Sequence, residues 1–478
     1  MESFALDRGG SSGHVEHCVM TGLKRSLKGL GLIFCVAFVV MLADCSHPKL
    51  SADQQALVRA AQQAGAQDVA GAPLDDGGMR LTGKLDGRAF SLAIPWRWNK
   101  QAVLFANGYS VPGLRNAIDI PDNPLKDDSF GVYRIPYAQG FAVGLSAYDK
   151  SGIGVQTGIE NTHRLKQFLD RFGSTRAYLI GASMGGSITE GLIERYPADF
   201  PGALAACGVV DNWPSEIGRL IDLRASYNYF TRGTAYSLPG DQHLDHSALS
   251  TWASPTFKSV TPFYAFMQLK RLGAPITKLF AAAQANPTGP EQRIIDNIAA
   301  TTGAAKDLAS FLQPIVTISI GMDDIEATFG GSIYDNTTKA YASPYLSAEE
   351  NRALNRDIQR IHADPRALAY AADWHRATGK FSTKLISIYN STDPLVPSEL
   401  QEPALLQAVH DSGNDQNLVQ ETLPPMRVPQ QPFTEAKGYA HCGFTPDQIA
   451  TAWGELRHWV ESNQRPDGDL GAGGSAAH

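Results

Sequence analysis

The sequence predicts an α/β protein: a mostly parallel sheet with helices on both faces and a large, mainly helical cap inserted between two late strands. Short apolar runs at 102–106, 141–147, 177–180, 203–210 and 385–389 alternate with stretches of helical spacing at 162–172 and 187–196. Strands buried on both faces read as such runs, and strand–helix alternation implies parallel pairing. The alternation then stops from 211 to about 379, far longer than a structureless loop in a compact domain. Helical spacing at 259–272, 290–302 and 348–362 fills that interval.

Taken in chain order, Lys24, Arg25 and Lys28 precede an apolar stretch at 29–43 followed by polar residues. This is the layout of a secretory signal peptide over 1–45, with Met20 as an alternative start, and it predicts export to a periplasmic or extracellular space. Leu42-Ala43-Asp44-Cys45 resembles a bacterial lipobox, which offers lipid anchoring at Cys45 as the other reading; Asp44 departs from the small residue usual there. Residues 46–78 are expected to be a linker, with a short helix or linker at 51–70. The globular part then opens near Met79 with two alternating segments around Asp86-Gly87, a dipeptide suited to a tight hairpin turn. The first part of the core is expected over 79–210, the cap over 211–379 and the second part of the core over 380–464. That second part ends in a strand at 418–423 and a closing helix at 448–463. The tail, 465–478, is rich in Gly, Asp and Ala and is expected to be disordered.

Composition excludes some functions. The 478 residues carry 41 Lys plus Arg against 48 Asp plus Glu, a net charge of -7, with no basic run interleaved with aromatics. Nucleic acid is therefore not an expected partner. The five cysteines, at 18, 35, 45, 207 and 442, form no C-x-x-C pair and no Cys/His cluster at zinc spacing, so no metal site is expected. If the leader is removed, Cys207 and Cys442 remain beside Cys45, either as free thiols or as one disulfide.

The chemistry-bearing segment is 176–186. An apolar strand runs into Gly181-Ala182-Ser183-Met184-Gly185, and a helix begins near Gly186. A sharp strand-to-helix turn exposes a serine oxygen above a sheet. An alcohol is a weak nucleophile near neutral pH, so Ser183 needs a base and a carboxylate to orient it. Asp393 sits in Ser391-Thr392-Asp393-Pro394-Leu395-Val396-Pro397, just after the 385–389 strand, and is the expected acid; Asp211 is its rival. His441, in Gly438-Tyr439-Ala440-His441-Cys442-Gly443-Phe444, is the expected base. His362 and His375 fall in the cap, and His410 and His458 fall on helices. Oxyanion donors are expected from the backbone N–H of Met184 and from the loop Asn107-Gly108-Tyr109, with Tyr109 as donor.

These three motifs resemble the α/β-hydrolase superfamily over roughly 80–463. Tyr334-Asp335-Asn336-Thr337-Thr338 and Ile361-His362-Ala363-Asp364-Pro365 look like bacterial secreted members with a long cap. The resemblance implies Ser183, Asp393 and His441 as the catalytic triad. The His441-Cys442 ending is also similar to tannase-like and feruloyl-esterase-like enzymes, in which a cysteine beside the serine bonds to the one after the histidine. Ala182 occupies that position here, so that pairing does not carry over, and a Cys207–Cys442 bond stays open.

The expected activity is hydrolysis of a small-molecule or polymeric carboxylic ester, with no cofactor. Amide or peptide hydrolysis by the same residues is the alternative, and a non-catalytic envelope binding protein is the alternative of another class. Trp252, Phe257, Phe263, Tyr264, Phe266 and Met267 form an aromatic stretch, mostly cap core, from which Phe263 and Phe266 are candidate substrate contacts. Membrane contact is expected only through the N-terminal segment.

Overall fold

The computed structural model describes residues 49–113, 120–126, 128–251, 262–374 and 376–468. The expected signal segment at 1–45 with Cys45, together with Trp252, Phe257, His375 and the end of the tail, lies outside the described residues. Among the described residues, no helix is long and apolar enough to cross a membrane.

The chain enters through α1 (Ala52–Gln63), opened by a capping box in which Ser51 and Gln54 satisfy each other's backbone N–H groups. It continues into β1 (Gln67–Pro73), which pairs antiparallel with β2 (Met79–Leu85). This corrects the expected linker over 46–78. Ala61 of α1 is fully buried, and the Gln54 amide donates to the Gly78 carbonyl at 3.0 Å, so helix and strand belong to the sheet's edge. A helix that buries only alanine and glutamine leaves no apolar stripe to read, and an edge strand of mixed exposure leaves no alternation.

β2 and β3 (Arg88–Ile94) form a hairpin closed at Leu85 and Arg88. Its two turn residues, Asp86 (φ 49°) and Gly87 (φ 80°), both have positive φ, the conformation that matches the twist of the flanking strands. The rest of the sheet is built from β4 (Gln101–Ala106), β5 (Ala142–Ser146), β6 (Arg176–Ala182), β7 (Gly202–Ala206), β8 (Lys384–Asn390) and β9 (Leu418–Leu423). The strand order is β1-β2-β3-β5-β4-β6-β7-β8-β9, and from β5 onward every pairing is parallel.

Side chains of β6 alternate between two cores, which fixes its register. Ala177 and Leu179 face one core, with Leu165 and Phe168 of α3 (Val155–Phe172) and Ile188 and Leu192 of α4 (Met184–Arg195). Tyr178 and Ile180 face the other, with Tyr137 of the short α2 (Arg134–Ala138) and Trp453 and Leu456 of the closing helix at Pro446–Ser462.

Between β7 and β8 run α5 (Trp213–Thr231), α6 (Pro262–Ala285), α7 (Pro290–Thr302), α8 (Leu308–Phe329), α9 (Ala348–Asp357) and α10 (Pro365–Trp374). Leu269, Leu272 and Ile276 of α6, Ile298 of α7 and Phe311 and Ile315 of α8 give this insertion its own core. Its irregular parts are held by buried charges. Arg224, fully buried, donates to the carbonyls of Asp241, His243 and His246, while Asp222 accepts from the hydroxyls of Tyr334 and Tyr341. The two ends of the insertion are tied to each other, the Ala377 N–H donating to the Asp211 carbonyl at 3.0 Å. After β8 come α11 (Ser398–Asp411), β9, the short hairpin of β10 (Arg427–Pro429) and β11 (Lys437–Tyr439), and α12 (Pro446–Ser462).

If 52–73 belong to the sheet, a chain starting at Met79 exposes the unpaired edge of β2. Against a chain starting at Lys49, it should melt several degrees lower or aggregate on purification. Equal melting temperatures would return the segment to a linker.

Candidate active site

The strand-to-helix turn follows from local crowding. Ser183 sits at φ 57°, ψ −124°, with its N–H on the Ala206 carbonyl of neighbouring β7 at 3.0 Å. A Cβ at Gly181 would lie 2.1 Å from the Gly185 oxygen, one at Gly185 would lie 2.0 Å from the Ala106 oxygen, and one at Gly186 would lie 2.5 Å from the Gly208 Cα. None of these neighbours is a flexible side-chain end, so only glycine fits at the three positions. The helix starts at Met184, slightly earlier than expected from the sequence.

His441 and Asp393 meet Ser183 from loops that follow late strands. His441 Nε2 lies 2.9 Å from Ser183 Oγ, and its Nδ1 lies 2.9 and 3.0 Å from the two Asp393 oxygens. Both partners are almost completely buried. Asp393 Oδ1 also accepts the N–H groups of Leu395 and Val396, and Oδ2 accepts that of Cys442. Burial alone would raise the Asp393 carboxyl, but the imidazole and these N–H donors outweigh it and hold the group below its ordinary value. Burial lowers the His441 imidazole below its ordinary 6.5, an effect that Asp393 offsets only in part. Asp211, the rival acid, is half-buried and accepts from the Asn212 amide instead.

The loop after β4 reaches the same point. A Cβ at Gly108 would stand 3.3 Å from the Ala182 carbonyl oxygen and 3.4 Å from Ser183 Cβ, so the Asn107-Gly108-Tyr109 backbone passes close beside the serine. Tyr148 fixes that loop by donating its hydroxyl to the Asn107 carbonyl at 3.2 Å. The Tyr109 side chain runs to the insertion, where its buried hydroxyl faces Gly321 of α8. Met184 opens α4, where the first N–H groups have no helical partner, so the helix start and the loop after β4 lie on two sides of Ser183.

Two further features shape the site, a disulfide that the sequence left open and an asparagine that it did not single out. Cys207 and Cys442 form a disulfide across a separation of 235 residues. It joins the residue after Ala206, which holds Ser183, to the residue after His441, and both cysteines have left-handed backbones. The second is Asn390, buried at the end of β8. Its side chain accepts from the Gly443 N–H at 2.8 Å and donates to the Gly443 carbonyl at 3.0 Å, clamping the His441 loop to the sheet. An amide side chain closing a mostly apolar strand was the available signal, weakened by Ser387 within the same strand. Among the described residues, Cys207, His441 and Cys442 are grouped closely enough to hold a metal ion, but their sulfurs are bonded to each other.

The aromatic candidates are placed differently from an enclosed pocket wall. Phe263 is 73% exposed near the start of α6, and Phe266 is half-buried beside Lys270. The buried positions in the first half of that helix include Ala265, Gln268, Leu269 and Leu272, turned inward.

No family model and no curated protein matches the sequence. Solved structures do resemble it. Feruloyl esterase B from Aspergillus oryzae is 13% identical, covering 84% of this chain and 88% of its own, with a TM-score of 0.39. An α/β-hydrolase enzyme from a Medee basin deep-sea metagenome library is 11% identical over 81% of this chain and 98% of its own, at a TM-score of 0.35. An acetylester hydrolase from Corynebacterium glutamicum is 12% identical over 83% and 97%, at 0.34. At such scores the likeness says nothing of substrate. The strand order, the parallel centre and the turn at Ser183 are those of the α/β-hydrolase fold with a helical insertion after β7.

The disulfide closes a very long loop, and removing such a bond costs about 2–5 kcal/mol. The Cys207→Ala/Cys442→Ala variant should lose that much in urea unfolding. A loss below about 0.5 kcal/mol would mean the bond is absent in solution or mechanically idle.

Proposed function

We propose that the protein is a serine hydrolase that cleaves carboxylic esters through an acyl-enzyme intermediate. The observation that carries this reading is the continuous, buried line from Ser183 Oγ through His441 to Asp393. In this reading Ser183 attacks the carbonyl carbon and His441 takes the proton on Nε2. Asp393 keeps the imidazole oriented and balances its charge. The backbone N–H groups of Met184 and Tyr109 receive the oxyanion. His441 returns the proton to the leaving alcohol, which departs as the tetrahedral intermediate collapses, and then activates water for deacylation.

Two features support a protected site. The helices of the insertion start where β7 ends, beside Ser183, and ligands of such sheets bind at those strand ends. Ile318 and Met322 of α8 share a core with Met184 and Val209. The disulfide suits an oxidising compartment, in keeping with the exported reading of residues 1–45.

Ser183→Ala and His441→Ala should each lower kcat by about 10⁴-fold or more, and Asp393→Asn by a similar factor, because the three act as one unit. Circular dichroism should show the fold intact. Retention of a tenth of wild-type kcat by any of them would remove that residue from the triad.

The neutral imidazole is the working base, so activity rises as pH rises through the His441 pKa. Since burial depresses that value, the acid limb of kcat/KM should have its midpoint below 6.5. A midpoint above 7 would contradict the buried geometry. Matched ester and anilide substrates separate the ester reading from amide hydrolysis: the ester should be turned over and the anilide left intact. The reverse preference would reassign the activity.

A further inference from the structure

The insertion does more than adjoin the active site; it is hydrogen-bonded into the loop that carries Asp393. Glu216 lies in the first turn of α5 and is 4% exposed. A carboxylate so buried needs compensation. It receives the Arg219 guanidinium at 2.7 Å on Oε1 and the Gln401 amide of α11 at 3.3 Å on Oε2. Each of these partners continues to the site. The Gln401 carbonyl oxygen accepts the N–H groups of Val210 and Asp211, both at 3.0 Å, where the chain leaves β7. Arg219 also donates to the Leu395 carbonyl.

Leu395 is the informative residue. Its carbonyl takes Arg219, and its N–H is one of the donors to Asp393 Oδ1, at 2.9 Å. The Arg219 contact therefore fixes the short turn from Asp393 to Val396, whose backbone holds the carboxylate pointing at His441. Glu216 fixes the guanidinium in turn. Nothing in this chain of bonds places Arg219 on a reacting atom.

We propose that Arg219, held by Glu216, which Gln401 anchors in turn, is a positioning residue for the Asp393 carboxylate, so that the helical insertion sets the alignment of the triad and not only the access to it. The proposal rests on the reading of Ser183, His441 and Asp393 as the triad. It separates two jobs that the same insertion would otherwise blur. A side chain lining the substrate site affects one ester more than another. A side chain that aligns the acid affects every substrate alike, because small displacements of a catalytic group cost roughly 10- to 100-fold in rate whatever is bound.

The test compares Arg219→Met, Arg219→Lys and the double variant Glu216→Gln/Arg219→Met on two substrates, a small acetate ester and a bulky aromatic ester. The double variant leaves no buried carboxylate without a partner, so it stays informative if Arg219→Met fails to fold. The expected result is a loss in kcat of roughly 10- to 100-fold on both esters with KM within about threefold of wild type. Arg219→Lys should recover part of the loss, since an ammonium can still reach the Leu395 carbonyl. A double variant that folds and keeps kcat within twofold of wild type would overturn the proposal. So would losses on the two esters that differ by more than tenfold, which would make Arg219 a substrate contact. Turnover by the wild type that survives Ser183→Ala would overturn the triad reading and this inference together, whereas Ser183-dependent turnover with an unaffected double variant would overturn this inference alone.

Discussion

The turn between β6 and α4 holds Ser183 at φ 57°, ψ −124°, a backbone region that costs a non-glycine residue about 1–3 kcal/mol and persists only where surrounding structure over-determines it. Here the surroundings do so from three sides. The Ser183 N–H is fixed on β7, Gly185 is pressed against the end of β4, and Gly186 packs on Gly208. Each contact needs a parallel neighbour at a set distance, so the sheet order with β4 and β7 flanking β6 is a requirement of the turn as much as a background to it. The same crossing brings the glycine-containing loop after β4 to the serine.

The rest of the site solves an electrostatic problem. Asp393 and His441 are buried together, and taking a carboxylate out of water costs several kcal/mol unless its lone pairs are satisfied. Three backbone N–H groups and the imidazole do this for Asp393. The loops that supply them are short, irregular and held from outside: by Asn390, by the disulfide, and by Arg219 from the insertion. The carboxylate is thereby kept ionised in a dry place, where its influence on the histidine is greatest.

How much of this was legible depends on how local the signal was. Strands β4 to β8 are buried on both faces or nearly so and write themselves as apolar runs, whereas β9, LVQETL, carries Gln420, Glu421 and Thr422 and is marked only weakly. The glycines around Ser183 are likewise local, because each answers a contact within the turn. Other features are not local. The sequence carries the run 203–210 as one strand, but β7 stops at Ala206 because Cys207 turns to φ 46° to let Gly208 meet Gly186. α1 and β1 hide because few of their residues are fully buried and the larger apolar ones that pack on the core, Leu57, Val58 and Val69, are scattered among alanine, glutamine and glycine. The Cys207–Cys442 pairing spans 235 residues, and no spacing rule reaches that far. Asp211 and Asp393 both follow apolar runs of the sequence, and only the folded chain places one of them 2.9 Å from an imidazole nitrogen.

The most direct test of the central claim is covalent. Incubation of the folded protein with a fluorescent alkyl phosphonate, followed by peptide mass spectrometry, reports whether Ser183 is an activated nucleophile rather than an ordinary hydroxyl at a tight turn. The account predicts one adduct per chain, located on Ser183, formed rapidly by the native protein and not by the heat-denatured chain or by His441→Ala. Native protein left unlabelled at Ser183, or labelled as fast without His441, would contradict it.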